Sequence, residues 1–135
     1  MKKEVALGID IGGTNTVFGF IDREGNYLAE GNIPTAKHED ITDYLKELNL
    51  EVDKVLDTIR SEVTLIGIGI GAPNGNYYKG TIDFAPNLPW HDVIPLCDLV
   101  KEFYPELPVY LTNDANAAAI GEMVYGGAQG MKNFI

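Results

Sequence analysis

The sequence predicts an α/β domain built on a mixed sheet that begins as a three-strand antiparallel meander. Residues 4–34 alternate β-branched and aromatic runs with glycine-bearing turns, which is the signature of hairpins. A long amphipathic stripe then recurs at helical spacing. Beyond it, Val63–Gly71 and Val109–Thr112 are nearly all apolar, as strands buried on both faces read, and helical patterns separate and follow them.

In order, the first strand covers about Glu4–Ile11 and the second about Thr16–Asp22. Asp22-Arg23-Glu24-Gly25-Asn26 is a turn with a glycine ready for positive φ. Tyr27–Pro34 is the third strand. Ile41, Tyr44, Leu45, Leu48, Val52, Val55, Leu56 and Ile59 mark one face of a helix from about Asp40 to Arg60, with Asp40 as N-cap. In Val63–Gly71, Gly67, Gly69 and Gly71 fall at alternate positions, leaving one strand face flat for a closely packed element. Ala72–Trp90 reads as loop, with a short strand at Gly80–Phe84. Val93, Leu96, Leu99, Val100 and Phe103 mark a second helix, with Pro95 in its first turn. Val109–Thr112 is another buried strand. Asp114–Tyr125 is an alanine-rich third helix ending at Gly126-Gly127, and Met131–Ile135 opens a further strand. Three antiparallel strands followed by helix–strand–helix–strand–helix is the order of an RNase H-like domain, its mixed sheet covered by helices on both faces.

Size and composition narrow the function classes. The chain has 135 residues, 45% of them hydrophobic, enough for one ordinary core. No apolar run approaches the roughly 20 residues that span a bilayer, and no signal-peptide cleavage site is visible. The single cysteine, Cys97, makes neither an internal disulfide nor a structural zinc site, and reads as a small buried apolar side chain. Cytoplasm is the natural compartment. The net charge of −10 opposes binding to nucleic acid or an anionic membrane, but not to ATP held by a local cradle of amides. Acidic residues concentrate in Glu39–Glu62, where they read as a solvated helix face.

Asp10 is the charged residue out of place. It ends an apolar run between Ile9 and Ile11, where an ionised carboxylate is costly unless paired. Gly12, Gly13, Thr14 and Asn15 follow at once. A P-loop would need a lysine and then a helix, and a dinucleotide fingerprint also opens into a helix. This turn opens into Val17, Phe18, Phe20 and Ile21, a strand. An ordinary hairpin turn remains an alternative, but it leaves Asp10 unexplained. Amides approaching a phosphate, with Asp10 facing its magnesium, account for both.

A second constellation, Thr112-Asn113-Asp114-Ala115-Asn116, joins a buried strand to a helix. An Asn or Asp capping that helix is one reading. Ligand binding at the strand end is the other. Between the two constellations, Ala85-Pro86-Asn87-Leu88-Pro89-Trp90 is a proline-bracketed turn with Trp90 over the core.

Asp10-Ile11-Gly12-Gly13-Thr14-Asn15 followed by Asp22-Arg23-Glu24-Gly25 resembles the first phosphate motif of sugar kinases in the actin-like ATPase superfamily, and more narrowly the ROK family (repressors, open reading frames, kinases), which includes bacterial glucokinases. The resemblance implies that Asp10, Gly12, Gly13, Thr14 and Asn15 bind ATP phosphates, with Asp10 helping to hold Mg2+. It implies that Asn113 and Asp114 contact sugar, with Asp114 the catalytic base, and that Asn87 hydrogen-bonds sugar hydroxyls. Both motifs in the right order are more specific than either one. Gly71-Ala72-Pro73-Asn74-Gly75 resembles the loop lining the sugar, although the family often has Gly where Asn74 stands. The expected reaction is ATP-dependent phosphorylation of a hexose, glucose first among candidates that include mannose, fructose and N-acetylated hexosamines. Residues 1–135 would form the N-terminal lobe of a two-lobe kinase of roughly 300 residues, often a homodimer, and inactive as an isolated lobe. A sugar-responsive ROK transcriptional regulator and a non-catalytic sugar-binding module are the alternatives. His38 and His91 lack ligand spacing, and Tyr77 and Tyr78 are weak candidates for stacking on a sugar.

Overall fold

The computed structural model describes residues 2–113 and 117–128. Its elements are β1 (Lys3–Ile11), β2 (Asn15–Ile21), β3 (Tyr27–Pro34), α1 (Ile41–Asp57), β4 (Val63–Gly71), β5 (Gly75–Asn76), β6 (Thr81–Asp83), β7 (Val93–Ile94), α2 (Leu96–Lys101), β8 (Val109–Thr112) and α3 (Ala117–Ala128). β1, β2 and β3 pair antiparallel as the meander, while β4 joins β1 and β8 joins β4 in parallel. The strand order is β3-β2-β1-β4-β8, a mixed sheet of the expected class.

Side-chain alternation sends Leu7, Ile9, Ile68 and Ile70 to one face of the sheet and Gly8, Asp10, Gly67 and Gly69 to the other. The apolar face meets α1, which buries Tyr44, Leu45, Leu48, Val52 and Leu56, the stripe read from the sequence. Burying each such side chain contributes about 1.5–3 kcal/mol. Asp40 caps the helix, accepting from the Thr42 amide at 2.7 Å. The acidic residues on its solvent side form the expected exposed face, with Glu51–Lys54 and Asp57–Arg60 pairs that contribute little.

The glycine face meets α3. A β-carbon on Gly69 would stand 2.7 Å from Ile120 Cγ2 and 2.9 Å from the Ile120 carbonyl oxygen. One on Gly67 would stand 2.8 Å from Val124 Cγ1. The alternate glycines therefore allow the close approach expected of them. A bulge between Val5 and Ala6 aligns the pattern: Val5 pairs with Leu65, but Ala6 pairs with Gly67, so Gly8 faces Gly69 and Asp10 faces Gly71.

Asp22 is buried at the end of β2 and shapes the first turn. Its carboxylate accepts from the amides of Asn26 at 2.9 Å and Glu24 at 3.0 Å, and from Lys3 Nζ at 3.4 Å. The Asn26 amide foremost holds its carboxyl below the usual range. Gly25 takes the predicted positive φ of 87°.

Several boundaries differ from expectation. α1 ends at Asp57, where the Thr58 and Ile59 amides turn to the carbonyls three residues back, Val55 at 3.1 Å and Leu56 at 2.9 Å. The segment read mainly as loop contains a small sheet of order β5-β6-β7, whose strands are too short to show alternation. Val93 belongs to β7, and α2 starts only at Leu96, with Pro95 at its N-cap and Phe103 beyond its end. α3 continues through Gly126 and Gly127 to Ala128 instead of stopping there. Asp114–Asn116 and the strand expected at Met131–Ile135 lie outside the described residues.

Gly69→Ala should cost about 1–3 kcal/mol, because the Ile120 carbonyl cannot yield as a flexible side chain can. Gly121→Ala, where a β-carbon meets nothing within 4 Å, should be neutral or stabilise by up to about 1 kcal/mol. Urea unfolding of both variants checks this, and equal effects would contradict the packing. Asp22→Asn should lower Tm at pH 7. A depressed carboxyl stabilises above its unfolded pKa near 3.9 and loses that contribution as pH falls through the folded value. The difference in Tm should therefore shrink below about pH 4.

Candidate active site

Because β1, β4 and β8 are parallel, their C-terminal ends share one edge of the sheet, the edge where open α/β sheets bind ligands. Asp10 pairs with Gly71, and Gly71 with Thr112. Strands spaced about 4.8 Å apart put Asp10 and Thr112 about 10 Å from each other. Asn113 follows and is exposed. Asp114, the next residue, lies outside the described residues.

The turn after β1 is closed by the Gly12 amide donating to the Asn15 carbonyl at 2.9 Å. Gly12 is thus engaged within the turn, and a β-carbon there would stand 2.9 Å from the Asn15 oxygen. The Thr14 carbonyl accepts from the Thr35 amide at 2.9 Å. The amides of Gly13 and Thr14 have no partner among the described residues. A β-carbon on Gly13 would lie 2.9 Å from the Asn87 carbonyl oxygen and 3.6 Å from Asn87 Cβ. The glycine turn and the proline-bracketed loop therefore touch, with the Asn87 and Asn15 residues both exposed.

Asp10 is half-buried, and desolvation pushes its carboxyl up from the ordinary value. No cationic side chain pairs with it among the described residues. It lines a groove of about 190 Å³ on the glycine face with Gly8, Val17, Gly19, Tyr27 and Glu30. An unpaired carboxylate beside unpaired amides is the donor set that magnesium and a phosphate require, so these residues fit that pair.

The loop after β4 rests on the end of β8. The Ala72 amide donates to the Thr112 carbonyl at 2.9 Å, and a β-carbon on Gly75 would lie 2.6 Å from that oxygen. Asn74 has φ 57°, a left-handed conformation that Asn adopts more readily than most residues other than glycine. Its side-chain amide donates to the carbonyls of Asp83 at 2.8 Å and Phe84 at 3.2 Å.

His38 Nε2 bonds Glu47 Oε1 at 2.6 Å, tying a loop to α1, and His91 is exposed. Tyr77 and Tyr78 meet edge to face, with Tyr78 94% exposed. Cys97 is half-buried with its thiol pushed up to about 11, chiefly by desolvation, which makes it a poor nucleophile.

Sequence reasoning missed a buried chain of hydroxyls under the glycine turn. Thr16 Oγ1 lies 2.8 Å from Thr35 Oγ1 and 2.5 Å from Tyr44 OH, with all three residues fully buried. The Tyr44 ring packs against Trp90 at 4.5 Å between centroids. Trp90 Nε1 is buried with no partner among the described residues. Thr16 and Thr35 were visible as polar residues at core positions of strand ends, the one signal that points to them.

Asp10→Asn should raise Tm of the ligand-free chain at pH 7. A carboxyl raised in the folded state favours folding only when protonated; that advantage is complete below the unfolded pKa near 3.9 and is lost as pH rises through the folded value. Thermal melts at pH 7 and pH 3 check this, and a lower Tm for the variant at pH 7 would count against an unpaired charge.

The ROK family profile matches residues 6–135. The chain is 38% identical over 133 residues to a glucokinase of Streptomyces coelicolor, an alignment covering 97% of this chain and 39% of that protein. It is 32% identical over 141 residues to the xylose repressor of Bacillus subtilis, covering 99% and 34%. The solved ROK glucokinase of Streptomyces griseus, in complex with glucose and AMPPNP, superposes with a TM-score of 0.63 at 36% identity, covering 93% of this chain and 38% of that one. The chain thus spans about two fifths of the length of the glucokinases it matches. The fold is that of the actin-like ATPases, and the chain belongs to the ROK family.

Proposed function

We propose that this chain is the lobe of a two-lobe sugar kinase that grips both the nucleotide phosphates and the sugar, and that the reaction is ATP-dependent phosphorylation of a hexose, glucose in the first place. The observation that carries the reading is the contact of Gly13 with Asn87 at the sheet edge that also bears Asp10 and Asn113. The similarity to a glucokinase solved with glucose and a nucleotide analogue supports the same reading.

In this proposal the Gly13 and Thr14 amides donate to phosphate oxygens, and Gly12 and Asn15 keep the turn closed. Asp10 would hold Mg2+, which when bound offsets the negative charge of the triphosphate. Asn87 and Asn113 hold sugar hydroxyls and orient the one that reacts. Asp114 takes the proton from the attacking 6-hydroxyl as its oxygen bonds to the γ-phosphorus and ADP departs. General-base assistance of this kind contributes about 10²–10⁴-fold. Residues 1–135 form one lobe of a protein of roughly 300 residues, acting in the cytoplasm and paired as a homodimer.

The likeness to a xylose repressor favours a second reading, a sugar-responsive regulator of the same fold. The net charge of −10 weighs against DNA contact by this chain itself. A non-catalytic sugar-binding module gives Asp10 no purpose.

Asp114→Asn in the complete polypeptide should lower kcat by at least about 10²-fold while leaving glucose affinity within threefold. Coupled measurement of ADP release and calorimetric titration with glucose check the two halves. Sugar binding without ATP consumption by the unaltered protein would point to the regulator or binding module. The 135-residue chain alone should show negligible turnover, lacking a second lobe to close over the site and exclude water; robust glucose phosphorylation by it would overturn the two-lobe reading.

A further inference from the structure

We propose that Thr16, Thr35 and Tyr44, with Trp90, are positioning residues that hold the glycine turn and the Asn87 loop at a set distance from each other. The inference rests on the kinase reading for its consequence, but its geometry stands on contacts within the fold.

The contacts form a closed circuit. The Thr35 amide holds the carbonyl of Thr14, inside the turn. The Thr35 hydroxyl bonds the Thr16 hydroxyl, and Thr16 follows the turn directly at the start of β2. The Thr16 hydroxyl also bonds Tyr44 OH, on the first turns of α1. The Tyr44 ring bears on Trp90, which ends the loop carrying Asn87. The Asn87 carbonyl in turn meets Gly13, back in the turn. Each hydroxyl is buried where water cannot replace a lost partner, so losing one leaves its neighbour unsatisfied. Burial raises the Tyr44 phenol well above its ordinary range, which keeps it a neutral hydroxyl.

Neither Thr16 nor Tyr44 is exposed to a ligand, since both are fully buried. Their effect must pass through the two loops they brace. A displacement of about 1 Å between reacting groups costs up to about 10²-fold in rate. Removing a hydroxyl from this circuit should therefore weaken alignment more than binding.

The test uses the complete polypeptide with Thr16→Val, Tyr44→Phe and Thr16→Ser. Thr16→Val and Tyr44→Phe should each lower kcat by about tenfold or more with KM for glucose within threefold, while Thr16→Ser, which keeps the hydroxyl, stays within threefold of the unaltered protein. Amide hydrogen exchange is measured alongside. Thr16→Val should speed exchange of the bonded Gly12 and Thr35 amides and of the Leu88 amide together, leaving Leu7 and Ile68 amides in the core strands unchanged. If Thr16→Val fails to fold, Tyr44→Phe carries both measurements. Values of kcat within threefold for the hydroxyl-deleted variants, or exchange that changes in one loop alone or uniformly, would overturn the proposal. If the unaltered protein phosphorylates no hexose, the kinase reading fails, and exchange in the two loops still decides the bracing.

Discussion

The site depends on one irregularity in the pairing of β1 with β4. Up to Val5 the strands run in simple register, and the bulge there then brings Ala6 opposite Gly67. A register slipped by one residue would exchange the faces of a strand. With the bulge in place, Gly8 lies beside Gly69 and the close seat for α3 is continuous across two strands. The same step puts Asp10 beside Gly71, where no neighbouring side chain crowds it on that strand. The packing of α3 and the setting of the carboxylate are thus two results of a single alignment.

Around that edge the chain tolerates local costs that the core does not. Asp10 is desolvated without a counter-charge among the described residues. Trp90 buries an N–H without a partner there, a loss of about 1–3 kcal/mol in typical proteins. Asn74 and Phe84 both hold positive φ on neighbouring loops. By contrast, Asp22, more deeply buried, is satisfied by two amides and a lysine, and closes the turn after β2. Two aspartates in one meander thus have opposite electrostatics, and the unsatisfied one stands at the C-terminal edge of the parallel strands. Locally inconsistent choices gather where function asks for them.

The elements with strong periodicity were legible before any coordinates. Tyr44, Leu45, Leu48, Val52 and Leu56 sit where a 3.6-residue repeat puts them, because α1 buries one face and solvates the other. β3, β4 and β8 have the bounds read from composition. The misread elements carry weak local signals: β5 and β7 have two residues each, and Val93 joins a strand because Asp83 lies opposite it. Glycines at 126 and 127 looked like a helix stop, yet α3 runs past them. Asp10 and Gly13 were legible as candidates from their chemistry and Asn87 from the family resemblance, while their mutual placement was not.

Residue type and spacing alone determined the class of fold, the meander, the flat glycine face and the odd carboxylate at the end of β1, because these follow from backbone propensity and from the cost of a charge among apolar neighbours. Tertiary structure alone decided that Gly13 touches Asn87, that the Gly12 amide is engaged within its own turn, and that Thr16 shares its hydroxyl with Thr35 and Tyr44. Those contacts join residues far apart in the chain, and no local preference encodes a distance that arises only when separate elements pack on one sheet.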